Sequence, residues 1–165
     1  MDFIKRRAWI GAIVFGVVLI GAGLYMVREA RAAHDEVTDT LAAEKIVSSE
    51  DADIPLVAVT GPAEAKAQAD AIHTHILKTT NGKTYAELDR NDPNRAQYLN
   101  SVTLRTALME SYMAFKIAEL VQGVGLIVAL IGGSQVVLGI YLGLTTAKVA
   151  ESVATKATRP LTGQA

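Results

Sequence analysis

Two long runs of uncharged residues constrain this chain more than any other feature of its sequence. Residues 8–27 and residues 120–146 contain no Asp, Glu, Lys or Arg, so the runs are about 20 and about 27 residues long. A helix rises about 1.5 Å per residue, and about 20 apolar residues cross the roughly 30 Å hydrocarbon core of a bilayer. Each run is therefore predicted to be a transmembrane helix. The surplus length of the second run implies tilt or extension beyond the membrane.

Aromatic and basic residues beside these runs predict their ends and their direction. Trp9 and Tyr25 stand at the ends of the first run, and Tyr112 and Tyr141 flank the second, as amphipathic rings do at the headgroup level. Three basic residues precede the first run and three follow the second, namely Lys5, Arg6, Arg7, Lys148, Lys156 and Arg159. Basic flanks stay in the cytoplasm, so both termini are predicted to be cytoplasmic. Residues 28–113 carry nine basic and fourteen acidic side chains, a net −5, and are predicted to be extracytoplasmic.

The first run has an alternative interpretation as a cleaved signal peptide. It follows a basic start, and Ala30-Arg31-Ala32 imitates a small-x-small cleavage site. However, the run is longer than the roughly 7–15 apolar residues of a signal peptide, and an arginine lies inside the imitated site. We therefore expect a retained helix and a protein of the plasma (inner) membrane.

The segment between the runs is predicted to be helical. The first helix continues to about Ile46, residues 48–55 form a solvated loop, and residues 56–60 form an extended connector. Gly61-Pro62 begins a helix, since proline is tolerated at the first helical position, and Asn81-Gly82 ends it. The apolar face of this helix is assigned to four residues: Ala69, Ile72, Ile76 and Leu77.

Two further signals divide the rest of this segment. Thr84 and Glu87 have capping-box spacing for one short turn, and Asp92-Pro93 opens the last helix. No glycine or proline follows until Gly123, so this helix is predicted to run unbroken into the second span.

The predicted fold is an all-α membrane protein whose two transmembrane helices form an elongated hairpin with a helical extracytoplasmic segment. Its parts are a cytoplasmic N-terminus (1–7), a first transmembrane helix (8–27), the extracytoplasmic segment (28–113), a second transmembrane helix (114–146) and a cytoplasmic tail (147–165). The second transmembrane helix continues an outer helix that starts near residue 93.

Stripes of small residues lie on one face of each predicted span. In the second span the stripe comprises Gly125, Ala129, Gly132, Gly139 and Gly143, and in the first it comprises Ala12, Gly16 and Gly23. Small residues let membrane helices approach closely. The stripes are predicted to pack against each other within one chain or to dock on another membrane protein, a second copy included. Gln135 lies near the middle of the second span, where its amide is expected to face a helix or a cavity.

Charged residues in or near the spans are weaker candidates. Lys116 and Glu119 lie three residues apart at the outer entrance of the second span, so we expect them to pair along the helix. Asp70 and His73 share a helical face three residues apart, which predicts a surface hydrogen bond or a tertiary contact.

The composition excludes several kinds of chemistry. The chain has no cysteine, which removes disulfides, thiolate metal sites and cysteine nucleophiles. The net charge is −1, and no basic stripe with interleaved aromatic residues predicts nucleic-acid binding. Gly82-Lys83-Thr84 ends like a phosphate-binding loop, but Lys78 occupies the position of the required earlier glycine. We expect no catalytic residues, no metal and no cofactor.

Several phrases between Asp53 and Ile131 resemble a family of small two-pass membrane proteins of actinobacteria. They are Gly61-Pro62, the run Ala67-Gln68-Ala69-Asp70-Ala71-Ile72, the run Gly82-Lys83-Thr84-Tyr85-Ala86-Glu87-Leu88-Asp89, and Asp92-Pro93. The resemblance implies a membrane topology and a helical outer segment. Members of the family are often labelled aromatic ring-opening dioxygenases.

Dioxygenase chemistry does not follow from the residues of this chain. A non-haem iron oxygenase needs two histidines and a carboxylate on one face of a pocket. The histidines of the present chain are His34, His73 and His75. Residues two apart on a helix point about 200° from each other, so His73 and His75 cannot share a metal.

Three classes of function remain. The leading hypothesis is a noncatalytic accessory subunit that docks on a larger cell-envelope complex, respiratory or transport. The second is a membrane-anchored binding or sensing module for a lipid, peptide or envelope ligand, with a cleft lined by Ile72, Ile76, Leu99 and Leu104. The third is an enzyme, which would require a metal that depends on His73.

Overall fold

Three helices dominate the computed structural model, which describes residues 2–157. They are α1 (Asp2–Glu44), α2 (Pro62–Thr79) and α3 (Asn94–Ala157). Within residues 2–157 no strand forms, and a single antiparallel bridge joins Val47 to Ala58. The predicted all-α class is confirmed, and α3 is one continuous helix, as predicted. The part of the predicted tail that includes Arg159 lies outside the described residues.

The helices are divided between two compact units. Unit 1 consists of Met1–Val27 and Gly123–Ala165, and unit 2 consists of Arg28–Gln122. Two helices of the chain, within Arg7–Glu44 and Asn94–Ser152, are long and apolar enough to cross a membrane. In each, only 17% of the most apolar 18-residue window is buried inside the chain, whereas the core helix of a soluble protein buries most of such a window.

Unit 2 has its own hydrophobic core, to which all three helices contribute. Its main cluster comprises Leu41 of α1, Val59 of the connector, Ala65 and Ala69 of α2, and Leu108 and Phe115 of α3. Alanines on α2 let that helix approach the other two closely. Burial of a side chain of leucine or phenylalanine size stabilises a fold by about 1.5–3 kcal/mol. A second cluster joins Ile76, Leu88 and Tyr98.

Local sequence signals set both ends of α2. The helix begins at Pro62, and Glu64 lies in its first turn, where a carboxylate interacts favourably with the helix dipole. After Thr79 the backbone turns left-handed at Asn81 (φ 55°) and Gly82 (φ 81°). The Gly82 N–H donates to the Leu77 carbonyl oxygen at 2.7 Å, which satisfies a carbonyl at the helix end. Both ends are where the sequence predicts them.

The segment between α1 and α2 is more ordered than the predicted solvated loop. Ser48 is buried, its N–H donates to the Val57 carbonyl oxygen at 2.8 Å, and its hydroxyl oxygen accepts the Val57 N–H at 3.0 Å. The Gln68 side-chain oxygen accepts the Ser49 N–H at 2.7 Å. The prediction of a solvated loop over residues 48–55 is therefore wrong at Ser48 and at buried Ala52. Side-chain oxygens supply the hydrogen bonds that water would otherwise provide.

The segment between α2 and α3 is held by two side chains. The Glu87 carboxylate accepts hydrogen bonds from the Thr84 N–H and hydroxyl, both at 2.7 Å, and the Thr84 N–H lowers the pKa of Glu87. The Arg95 guanidinium donates to the Leu88 carbonyl oxygen at 2.7 Å and lies 4.1 Å from the Tyr85 ring centroid. The predicted turn is present. Of the two side-chain hydrogen bonds of a capping box, only the one between the Thr84 N–H and the Glu87 carboxylate forms.

The start of α3 lies where the sequence predicts it. The helix runs from Asn94, directly after Pro93, and Asp92 Oδ1 accepts the Asn94 N–H at 2.8 Å, which is the hydrogen bond that an N-cap side chain makes to the first turn. Asp92 therefore caps the helix, as predicted.

Candidate functional site

The two small-residue stripes lie against each other in unit 1. A β-carbon added to Gly16 would lie 2.6 Å from the Gly132 carbonyl oxygen, and one added to Gly132 would lie 2.6 Å from the Gly16 carbonyl oxygen. One added to Gly23 would overlap the Gly125 carbonyl oxygen and would lie 2.6 Å from the Ala129 nitrogen. Real β-carbons essentially never approach other atoms this closely, so glycine is required at these crossings.

The contacts continue along both helices in an antiparallel sense. A β-carbon on Gly139 would lie 2.6 Å from Ile13 Cγ1, and one on Gly143 would lie 3.2 Å from the Trp9 ring. As the residue number rises along α3, the number of its partner on α1 falls. The other glycines of the two spans have nothing within 4 Å of an added β-carbon, namely Gly11, Gly21, Gly123 and Gly133. Among the glycines of these spans, only those of the stripes therefore lie at the contact between α1 and α3.

Of the two alternatives for the stripes, the structure places them in contact within one chain. Ala12 and Gln135 are half-buried in unit 1. That the amide of Gln135 faces a helix or a cavity stays a prediction. Because the stripes meet each other, they leave the large apolar side chains of unit 1 exposed, among them Phe15 and Leu130.

Lys116 and Glu119 form the predicted pair. Lys116 Nζ lies 2.8 Å from Glu119 Oε2, and both side chains are about half exposed. Lys116 Nζ also lies 5.8 Å from the Tyr112 ring centroid. An exposed pair along one helix contributes little stability, because solvent and salt screen the two charges.

Asp70 has a different partner from the one on its predicted face. Its Oδ2 accepts a hydrogen bond from Lys66 Nζ at 2.5 Å, one turn earlier on α2, and this bond raises the pKa of Lys66. His73 is half-buried and does not pair with Asp70. The predicted surface hydrogen bond therefore forms at Asp70 with Lys66 as its partner, and among residues 2–157 no hydrogen bond joins Asp70 to His73. Among residues 2–157 no group of three His, Asp or Glu side chains could hold a metal ion.

The sequence does not predict one polar pair of unit 2, which His75 and Asp51 form. His75 Nε2 lies 2.6 Å from Asp51 Oδ2, which joins α2 to the loop before it. The hydrogen bond from His75 lowers the pKa of Asp51. The two residues are 24 positions apart, and no local pattern relates a loop carboxylate to a helix residue at that separation.

The lowered pKa of Asp51 predicts how the loop depends on pH. A carboxyl group whose pKa falls on folding stabilises the fold above its ordinary pKa of about 3.9, and this contribution is lost as pH falls through the lowered folded value. We expect Asp51→Asn to speed amide hydrogen exchange in residues 46–60 at neutral pH. The variant and the parent should converge in strong acid, where Asp51 is protonated. Asp53→Asn is the matched control, and an equal effect from it would contradict the assignment.

The predicted ligand cleft is not formed by its four residues. Ile76 is buried with Leu88 and Tyr98, and Ile72 packs against the main core cluster. Leu99 and Leu104 are exposed on α3. The prediction is wrong because the apolar face of α2 is used inside the core. Depressions on unit 2 measure about 250–300 Å³ and have other linings, at or below the lower end of the ligand-pocket range of about 300–1,000 Å³.

The fold and these contacts define an all-helical protein with two helices that could span a membrane. Comparison with protein-family models, with curated proteins and with solved structures finds no match. The resemblance to the actinobacterial two-pass family therefore stays a prediction that rests on the short phrases given above.

Proposed function

We propose that the chain is a two-pass protein of the plasma membrane. Both termini lie in the cytoplasm, residues 28–113 lie outside, and the long helices form a hairpin. The basic flanks of both spans support this topology. The low internal burial of the apolar windows also supports it, since lipid would cover the side chains that unit 1 leaves exposed. Ala30 is buried inside unit 2 within helical residues, which favours a retained first helix over a cleaved signal peptide.

The chain acts, in this proposal, as a noncatalytic accessory subunit that docks on a larger cell-envelope complex, respiratory or transport. The observation that carries the proposal is a group of three exposed apolar residues in the segment between α1 and α2, namely Val47, Leu56 and Val57, which we call the loop patch. Backbone hydrogen bonds from the Ser48 N–H to the Val57 carbonyl oxygen and from the Leu56 N–H to the Ser48 carbonyl oxygen hold the two stretches of chain that carry these residues side by side. An apolar patch outside the membrane-spanning runs is typical of a protein–protein contact.

Leu56 is the strongest member of the loop patch. Its backbone is left-handed, with φ 54°, a conformation that costs a residue other than glycine about 1–2 kcal/mol. Its side chain is 67% exposed, so burial within this chain does not offset that cost. A strained, exposed leucine is accounted for if a partner covers it.

Polar side chains of unit 2 have structural roles that agree with a docking module. Gln68 holds Ser49, His75 holds Asp51, and Arg95 holds the carbonyl oxygens of the segment before α3. Each of these side chains fixes a loop onto a helix. The loop patch is therefore presented on an ordered surface.

Leu56→Asn tests the docking role without damaging the fold. Asparagine tolerates the left-handed conformation and is polar, so the variant should be as stable as the parent, or up to about 1 kcal/mol more stable. The tagged chain is purified from native membranes in mild detergent, and the intact assembly is weighed by mass spectrometry. We expect at least a tenfold loss of the partner complex.

The control is Leu104→Asn, which removes another exposed leucine from unit 2 and should leave the partner bound. If the parent chain is recovered without any other protein in several detergents, the accessory role is refuted.

A further inference from the structure

One face of α3 in unit 2 is only partly covered by the rest of the described chain. It carries Val102, Thr106, Met109 and Met113, which we call the α3 seam. Val102 and Met113 are 39% and 58% exposed, whereas Met109 is half-buried and packs against the main core cluster. The spacings of four, three and four residues are those of the a and d positions of a coiled coil.

A depression of about 250 Å³ follows this seam. Its lining consists of α3 residues alone, namely Val102, Arg105, Thr106, Met109, Glu110 and Met113. These six residues form two overlapping sets with the spacing i, i+3, i+4 and i+7. Four residues of that spacing make the hole that receives one side chain from a second helix in knobs-into-holes packing. The depression therefore lies where a side chain of a second helix would fit.

We propose that this helix is the α3 of a second copy of the chain, parallel to the first. With Thr106 and Met113 at a positions and Val102 and Met109 at d positions, Arg105 occupies a g position and Glu110 an e position. In a parallel pair, the g side chain of one helix meets the e side chain five residues later on the other. Arg105 of one copy then meets Glu110 of the second copy, and the symmetric contact forms as well.

Arg105 and Glu110 carry the charges for such a contact. Arg105 Nε is buried and has no hydrogen-bond partner among residues 2–157, so the terminal nitrogens of the guanidinium are the atoms that a carboxylate of a second copy would meet. Glu110 is exposed and borders a second groove, whose lining includes Glu36 of α1. An arginine from a second copy would meet two carboxylates there.

The direction of pairing rests on the membrane placement proposed above. Two copies inserted with the same topology present α3 in the same direction, so a two-fold axis along the membrane normal makes the pair parallel. The seam then has one self-complementary register, fixed by the Arg105–Glu110 contacts.

Single cysteines test the seam directly, because the chain has none of its own. Thr106→Cys and Met113→Cys should give disulfide-linked dimers in native membranes under mild oxidation, since facing a positions bring Cα atoms within disulfide range. Leu104→Cys is the control. It is 53% exposed and lies nine residues before Met113, about 180° around the helix, so it should crosslink at least tenfold less. Equal crosslinking at Leu104 would overturn the proposal.

A charge swap tests the register. In the Met113→Cys background, Arg105→Glu or Glu110→Arg alone should reduce crosslinking at least fivefold, because like charges then meet across the seam. The double variant Arg105→Glu/Glu110→Arg should restore it. Thermal unfolding of each variant in detergent shows whether it is folded. Failure of restoration in a folded double variant overturns the proposal.

Labelling separates this proposal from the proposed topology. In intact cells, a membrane-impermeant maleimide should modify Leu104→Cys if residues 28–113 are extracytoplasmic. An unlabelled but membrane-inserted cysteine refutes the topology, whereas crosslinking and the charge swap decide the pairing in either case.

Discussion

Replacing Gly132 with leucine should force apart the two helices of unit 1, whereas the same change at the adjacent Gly133 should not. A β-carbon at Gly132 would lie 2.6 Å from the Gly16 carbonyl oxygen and 2.7 Å from the Ile20 nitrogen. These are backbone atoms, which cannot rotate away as a flexible side chain can. The helices must separate, so we expect a loss of about 3 kcal/mol, at the upper end of the range for overpacking.

The single tryptophan of the chain reports this separation. The Trp9 ring lies 3.2 Å from where a β-carbon of Gly143 would stand, so its fluorescence depends on the contact between α1 and α3. Thermal unfolding of the purified protein in mild detergent, followed by Trp9 emission, should show a transition several degrees lower for Gly132→Leu.

Gly133→Leu provides the matched control. Nothing lies within 4 Å of an added β-carbon at this position, and leucine has a higher helix propensity than glycine. Its transition should equal that of the parent or exceed it slightly. If Gly132→Leu instead leaves the Trp9 transition unchanged and releases a co-purifying protein, the stripes serve a partner and not each other.

The sequence alone leaves this choice open for a physical reason. A stripe of small residues looks the same whether it packs on the same chain or on another, because both contacts need only close approach of two backbones. The crossings that match Gly16 with Gly132 and Gly23 with Gly125 depend on how two distant segments come together.

Local chemistry, in contrast, could be predicted well. Proline at the start of α2 and the left-handed pair Asn81-Gly82 at its end act through their own backbone preferences. Asp92 likewise caps α3 through an atom two residues from its partner. Each of these signals is complete within a few residues, so no tertiary information is needed to interpret it.

The contacts that the sequence does not predict join segments that are far apart along the chain. Asp51 meets His75 across 24 residues, and Gln68 meets Ser49 across 19 residues. The path of the loop between α1 and α2 depends on the core of unit 2. The predicted ligand cleft is absent for the same reason. The helical period of α2 identifies an apolar face, but it does not show which other residues cover that face.

Leu108→Ala should destabilise unit 2 strongly, whereas Leu104→Ala should have little effect. The two leucines lie one helical turn apart on α3, yet Leu108 is 2% exposed and Leu104 is 53% exposed. Truncation of a buried leucine costs about 2–5 kcal/mol, because apolar burial is lost and a cavity is left. An exposed leucine loses little of either, so we expect less than about 0.5 kcal/mol at Leu104.

Limited proteolysis and hydrogen exchange of residues 28–122 measure this difference, since Leu108 belongs to the same cluster as Val59 of the connector and Ala65 of α2. Loss of Leu108 should expose the loop over residues 45–61 to cleavage, while Trp9 emission from unit 1 serves as an internal reference. Equal stability of the two variants would mean that the core of unit 2 is not organised around Leu108. In that case the ordered presentation of the loop patch would lose its physical basis.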